Sequence, residues 1–373
     1  MNTYHRAQPY NALPPLPPKT EVETNPVLRA IIPATRSLAE LKGRMHTLPN
    51  PALLLNTIAL QEAKVSSEIE NIFTTNDELY QGLSTESAVS GHAKEVLHYN
   101  DALWQAAGRL RRRPLLTTNL AIEIVNTIKK NDAGLRRTPG TALINPSTRE
   151  VIYTPPDGEK QIRALLQNLE EFANEETASL DPLVKMAMIH YQFEAIHPFY
   201  DGNGRTGRIL LILYLLMEKL LDEPILFLSR YIIENKSDYY RRLREVTEKG
   251  AWEPWILFML RAVEKTAQIT TRKIEAIADL LAAMVAEGRA KLPKRTFSKE
   301  LIEQLFVRPY CKIQFLEESG IAKRVAASRY LHDLADAGLV ERRRVGKEML
   351  FVNERLVKLL AKTERPLEEA PPR

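Results

Sequence analysis

An unbroken apolar run, Ile209 to Met217, closed by Glu218-Lys219, is the clearest pattern in the chain. It predicts a helix buried on all sides, with the turn Asp201-Gly202-Asn203-Gly204 at its start. Upstream, Asp181-Pro182 opens a second helix that runs to about Ala195, with Asp181 as N-cap and Pro182 as first residue. From Leu53 to Val65 apolar residues recur at helical spacing (Leu54, Ile58, Leu60, Val65), and that helix ends in Ser66-Ser67-Glu68-Ile69-Glu70-Asn71. One stretch breaks the helical rhythm. Ala142 to Pro156 holds two β-prone runs around Asn145-Pro146-Ser147 and reads as a hairpin, its second run stopped by Pro155-Pro156. The pattern divides the chain into a Pro-rich arm (1–25), a helical region (26–113), a mostly helical core (114–263) and a long amphipathic helix (264–292) suited to a linker or a homodimer contact. A small domain (293–361) and a Pro- and Glu-rich tail (362–373), expected to be disordered, follow.

The dozen residues from His197 to Arg208 hold the candidate chemistry: His-Pro-Phe-Tyr-Asp-Gly-Asn-Gly-Arg-Thr-Gly-Arg. The first N–H groups of a helix lack partners within it and carry about half a positive charge. Gly202 and Gly204 let the backbone approach a ligand closely. This makes the helix start an anion site, and phosphate is the natural occupant. Arg205 and Arg208 lie one turn apart on one helix face, so both can reach phosphate oxygens, and Arg can do so bidentately. Asp201 is a hard oxygen ligand suited to Mg2+. His197 is the nearby side chain whose ordinary pKa suits proton transfer at neutral pH. No Gly-Lys-Ser/Thr follows, so this is not a Walker A loop.

The segment resembles the signature of Fic domains, His-Pro-Phe-x-Asp-Gly-Asn-Gly-Arg-x-Gly-Arg, at every fixed position. The resemblance implies a helical Fic core with a β-hairpin flap and transfer of AMP from ATP to a protein hydroxyl, self-modification included. It implies His197 as the base toward a Ser, Thr or Tyr hydroxyl and Asp201 as the Mg2+ ligand. Gly202, Asn203, Gly204, Arg205, Thr206, Gly207 and Arg208 would hold ATP, Arg208 at the γ-phosphate. Ser66, Glu70 and Asn71 resemble the family's inhibitory pattern, in which the Glu pairs with the second Arg of the motif; Glu70 would then hold Arg208. Val151, Ile152, Tyr153 and Thr154 would be the flap residues nearest ATP, the flap pinning a target peptide by strand addition. Asn235, with Tyr239 or Tyr240, would contact adenine.

Residues 293–361 read as helices at Phe297–Phe306, Ile313–Glu318 and Ala322–Ala337, then strands at Leu339–Arg344 and Glu348–Val352 around Gly346, an order similar to a winged helix. Lys323, Arg324 and Arg329 on its third helix, with Arg342, Arg343, Arg344 and Lys347 on the wing, could contact DNA phosphates. The formal charge of +5 permits this without demanding it. Two classes therefore stay open: a protein adenylyltransferase restrained by Glu70, or a DNA-binding regulator that uses the Fic site as a nucleotide sensor. Whether the same site also removes AMP is left open as well. The longest apolar run is well short of the roughly 20 residues that span a bilayer. The Pro-rich start has no signal-peptide h-region. One cysteine, Cys311, excludes an internal disulfide. A cytoplasmic protein is the expectation, with no membrane partner.

Overall fold

The computed structural model describes residues 4–46, 52–84, 89–144, 148–175 and 180–361. The hairpin turn 145–147 and the tail 362–373 lie outside them. In chain order the first elements are α1 (Asn25–His46), α2 (Ala52–Ile69), α3 (Asn76–Ser84), α4 (Gly91–Arg112) and α5 (Thr118–Lys129). The hairpin β1 (Leu143–Ile144) and β2 (Val151–Tyr153) follows, then α6 (Glu159–Asn174), α7 (Pro182–Ile196) and α8 (Asn203–Met217). Next come α9 (Leu228–Glu234), α10 (Lys236–Lys249) and α11 (Trp252–Lys291). The chain closes with α12 (Lys299–Val307), β3 (Tyr310–Cys311), α13 (Ile313–Glu318), α14 (Arg324–Asp336), β4 (Glu341–Val345), β5 (Glu348–Val352) and α15 (Glu354–Ala361).

The two helices that carry the candidate motif form the centre. Residues Ile209 to Leu215 of α8 are buried without a break, which a one-sided stripe could not achieve. Helix α7 is buried nearly all round as well, and the two pack together. Asp181 caps α7, accepting from Leu183 N at 2.8 Å, with Pro182 in the first turn. Helices α2, α4 and α5 close over α8, while α6 and α11 cover α7.

The long helix begins at Trp252, not near residue 264, and runs unbroken from the core toward the C-terminal module. Helix α1 lies along it. The apolar stripe that suggested a dimer face is therefore largely covered by this chain's own N-terminal helix.

The Pro-rich arm is a strap, with Leu13, Leu16 and Val22 buried. Tyr10 N donates to Thr154 O at 3.0 Å, and Thr154 Oγ1 donates to Arg6 O at 2.7 Å. The arm thus binds the chain just beyond β2.

Among the described residues the last module has four helices, α12 to α15, and an antiparallel sheet of order β3-β5-β4, with Arg343 opposite Leu350. The short β3 and α15 gave no pattern in the sequence. Nor did the module's seat on the N-terminal region. Tyr310 stacks on Tyr80 of α3 at 5.6 Å, and Ser84 Oγ donates to Tyr310 O at 2.9 Å. Arg343, expected to be free on the wing, is spent on this contact. It pairs with Asp77 of α3 at 3.1 Å and with Glu354. Cys311 is buried in the sheet, and burial pushes its thiol up to about 12. No helix among the described residues is long and apolar enough to cross a membrane.

Candidate active site

Helix α7 stops at His197 because that residue adopts the left-handed conformation (φ 48°, ψ 59°) and Pro198 cannot continue the helix. One buried side chain holds the strained turn. Arg136, from the loop after α5, donates through Nε to His197 O at 2.7 Å and through Nη2 to Ile196 O at 3.2 Å and to Pro156 O. Its own N–H donates to Pro198 O at 2.9 Å. Asn203 locks the other side, accepting from Phe199 N at 2.9 Å and donating to Phe199 O at 2.8 Å. The Asn203 side chain is therefore not a phosphate ligand, contrary to the sequence expectation: it is buried in the loop, its amide spent on Phe199.

Burial pushes the His197 imidazole down to about 4; the Arg136 charge adds to this, and Glu70 opposes it. The ring is thus neutral at pH 7, the form that accepts a proton.

Gly202 caps α8 at φ 83°. Beside it Asp201 lies 2.5 Å from Lys129 Nζ, at the end of α5. Lys129 is also 2.8 Å from Glu95 Oε1 of α4, and the same oxygen accepts from Arg205 Nη1 at 2.7 Å. Partial burial alone would raise the Asp201 carboxyl; the Lys129 hydrogen bond and charge outweigh it and hold it below its ordinary value.

Arg208 faces the other way, toward α2. Its guanidinium is buried, with Nε donating to Ser66 Oγ at 2.8 Å and Nη2 donating to Ser66 O at 2.9 Å and Glu70 Oε1 at 2.8 Å. Burial alone would lower its pKa, but the Glu70 charge holds it above its ordinary value. Gly204 makes room: a Cβ there would collide with the Glu70 carboxylate and lie 3.0 Å from Arg208 Nη1. A carboxylate therefore sits against the first turn of α8, where an anion is favoured. Two contacts fix α2 in this register. Lys236 Nζ donates to Ile69 O at 2.6 Å, and Glu62, pushed up to about 7 by burial, accepts from Ser229 N at 3.1 Å. Asn71 turns the chain away at φ 61°.

Thr206 is fully buried, and a Cβ on Gly207 would meet Phe193 and Glu194, so these two positions face the core and not a ligand. The flap strands pair with Leu143 opposite Tyr153 and Ile144 opposite Val151. Val151 and Ile152 are half-buried, whereas Tyr153 and Thr154 are buried under the arm and do not face the cleft as expected. Tyr153 donates to Ala195 O at 2.7 Å. Tyr239 is likewise no stacking platform: it is buried, 2.8 Å from His190 Nε2. Asn235 Nδ2 donates to Tyr231 O at 2.9 Å, and the neighbouring Tyr240 is the exposed ring, at 46%. Arg136, Lys129, Glu95 and Lys236 escaped the sequence reading, since each acts on a segment distant in the chain and none has local spacing to mark it.

A helical core with a short hairpin and a glycine-capped central helix is the Fic fold, and comparisons bear this out. A Fic family protein from Desulfovibrio desulfuricans G20 superposes with a TM-score of 0.56 at 20% identity, covering 94% of this chain and 99% of that one. Caenorhabditis elegans Fic-1 (residues 134–508) gives 0.52 at 20% identity, covering 68% and 74%. The chain belongs to the Fic/DOC family. Residues 28–108 match the Fic/DOC family N-terminal model, 115–215 the Fic/DOC family model and 280–356 the protein adenylyltransferase SoFic-like C-terminal domain. The protein adenylyltransferase Fic of Drosophila mojavensis is 31% identical over 154 residues, and adenylyltransferase fic-1 of C. elegans 30% over 152. Each match covers 40% of this chain but only 29% and 28% of those curated relatives.

Proposed function

We propose that the chain transfers AMP from ATP to a Ser, Thr or Tyr hydroxyl of a protein, itself among the targets, and that Glu70 restrains the transfer. The observation that carries the reading is a neutral His197 beside an anion-binding helix start whose Arg208 is held by a carboxylate. His197 takes the proton of the target hydroxyl. The freed oxygen bonds to the α-phosphorus as the bond to the bridging oxygen breaks, and pyrophosphate leaves. The N–H groups at the start of α8, with Arg205, stabilise the charge on the α- and β-phosphates. Arg208, once free of Glu70, receives the γ-phosphate, and Tyr240 offers its exposed face to adenine. The relatives named adenylyltransferases support this reading. Asp201 suits Mg2+: it offers hard oxygens at the lip of the helix start, and its side chain is 64% exposed. Mg2+ bound there would neutralise phosphate charge.

The test is incubation of the purified protein and lysate with ATP labelled at either the α- or the γ-phosphate. Label entering protein from the α position alone is the expected result. Label from the γ position would make it a kinase.

A second activity rests on the C-terminal module, read as a winged helix that binds duplex DNA. Lys323 at the N-cap of α14 and Arg324 and Arg329 on it are exposed, as are Arg344 and Lys347 on the wing. The reading places the protein in the cytoplasm, where the buried Cys311 stays a thiol.

A further inference from the structure

The end of α5 brings a cation onto the carboxylate that the functional reading gives to the metal. Lys129 Nζ bridges Asp201 Oδ2, at 2.5 Å, and Glu95 Oε1, at 2.8 Å. Glu95 Oε1 also accepts from Arg205 Nη1 at 2.7 Å, and Arg205 Nη2 is 3.7 Å from Asp201 Oδ1. Two carboxylates and two cations thus form one closed, neutral set. The lysine stem lies beside the cap of α8: a Cβ on Gly202 would lie 3.7 Å from Lys129 Cγ and Cδ and 3.1 Å from Val125 Cγ2. The last turn of α5 is therefore packed against the cap of α8, and the ammonium comes from that helix end.

We propose that Lys129 is the resident counter-cation of the metal position, and that it makes metal entry depend on nucleotide. The proposal rests on the reading of Asp201 as the Mg2+ ligand. Without nucleotide, a divalent ion at Asp201 would sit within a few ångströms of the ammonium and the Arg205 guanidinium. It would also find Glu95 Oε1 already shared by two donors. Repulsion and a shortage of oxygen ligands both oppose it. A polyphosphate on the start of α8 changes both terms. Its oxygens supply ligands and negative charge, and the ammonium turns from Asp201 to them while keeping Glu95. Metal and nucleotide then enter as one unit, and the free protein stays closed to divalent ions. Lys129 is in this sense a positioning residue, acting through Asp201.

The experiment titrates the full chain with Mn2+, by paramagnetic resonance of the free ion, with and without a non-hydrolysable ATP analogue. Wild type, Lys129→Met, Lys129→Arg and Asp201→Asn are compared, with thermal unfolding recorded for each. Lys129→Met should tighten nucleotide-free Mn2+ binding about tenfold, equivalent to about 1.4 kcal/mol. It should narrow the gap between nucleotide-free and nucleotide-bound affinities, and Lys129→Arg should restore the wild-type gap. Unchanged or weaker nucleotide-free binding in Lys129→Met overturns the proposal. If Asp201→Asn still abolishes binding in the presence of the analogue, the metal reading survives that failure. If Asp201→Asn leaves Mn2+ binding with the analogue intact, the metal lies elsewhere and both fall.

Discussion

Arg208 Nη2 donates to Glu70 Oε1 at 2.8 Å, and that carboxylate lies against the first turn of the helix that carries Arg208. The pair does two things at once. It takes the guanidinium, and it puts an anion on the helix start that phosphate would use. The proposed restraint by Glu70 would thus be competition for both halves of the site.

Glu70→Gly should raise AMP incorporation about tenfold or more, since a contact of about 1.4 kcal/mol no longer has to be broken. Arg208→Ala on that background should lose the gain, because both changes act through one contact. The buried Arg208 then keeps only Ser66 in the free protein, so ATP should raise the unfolding temperature of Glu70→Gly more than that of wild type. Equal incorporation at equal ATP and Mg2+ would refute the restraint.

The His197 ring, held near 4, is already in its proton-accepting form through neutral pH. Transfer by Glu70→Gly should stay level as pH falls past the ordinary histidine value near 6.5 and decline only toward about 4. Glu70 raises the ring's pKa, so its removal moves the limb lower still. A limb in kcat/KM near 6.5 would contradict the burial argument. His197→Ala should abolish transfer while ATP binding, measured by calorimetry, is largely kept.

Arg136 gathers three carbonyls of the catalytic loop and flap base onto one guanidinium. Arg136→Met should destabilise the protein by about 3 kcal/mol, the loss of charged hydrogen bonds to buried carbonyls. It should lower kcat more than it raises the KM for ATP, since His197 loses its place and the start of α8 does not. Arg136→Lys should recover only part of both effects, because an ammonium lacks the planar fork. Equal damage to kcat and KM would mean general collapse of the site.

Duplex DNA, if bound by the C-terminal module, should bind less tightly as salt rises, and loss of Arg324 or Arg329 should each reduce the logarithmic salt slope by about 0.9. Arg343→Ala should leave the slope alone and instead loosen the seat on Asp77, read as faster hydrogen exchange in α3. A gel shift with no binding of any duplex at low salt would remove the DNA reading.

The His197 to Arg208 motif, the buried α8 and the Asp181 cap of α7 were legible because each is a local pattern: apolar periodicity, a cap, or a glycine-marked turn. Other features were misread for want of tertiary context. Tyr239 carries the same local signal as an exposed ring, yet packing buries it beside His190, and Tyr240 takes the surface. Asn203 sits among the residues expected to bind phosphate, yet its amide closes the loop on Phe199. Arg343 looks like one more basic wing residue until α3 comes to meet it.

The chain alone, through its periodicity and one contiguous motif, determined a mostly helical protein with a glycine-capped helix start, a histidine and a carboxylate close along the chain. Contacts within a turn or two are set by backbone geometry, so sequence records them. Apart from the Glu70–Arg208 pair, which the family resemblance implied, which cation faces which carboxylate was decided only by the tertiary structure. Lys129 meets Asp201, Glu95 meets Arg205, Arg136 meets the carbonyl of His197, and the strap meets the flap. Charge acts through space, and packing brings together residues whose separation along the chain carries no trace of the meeting.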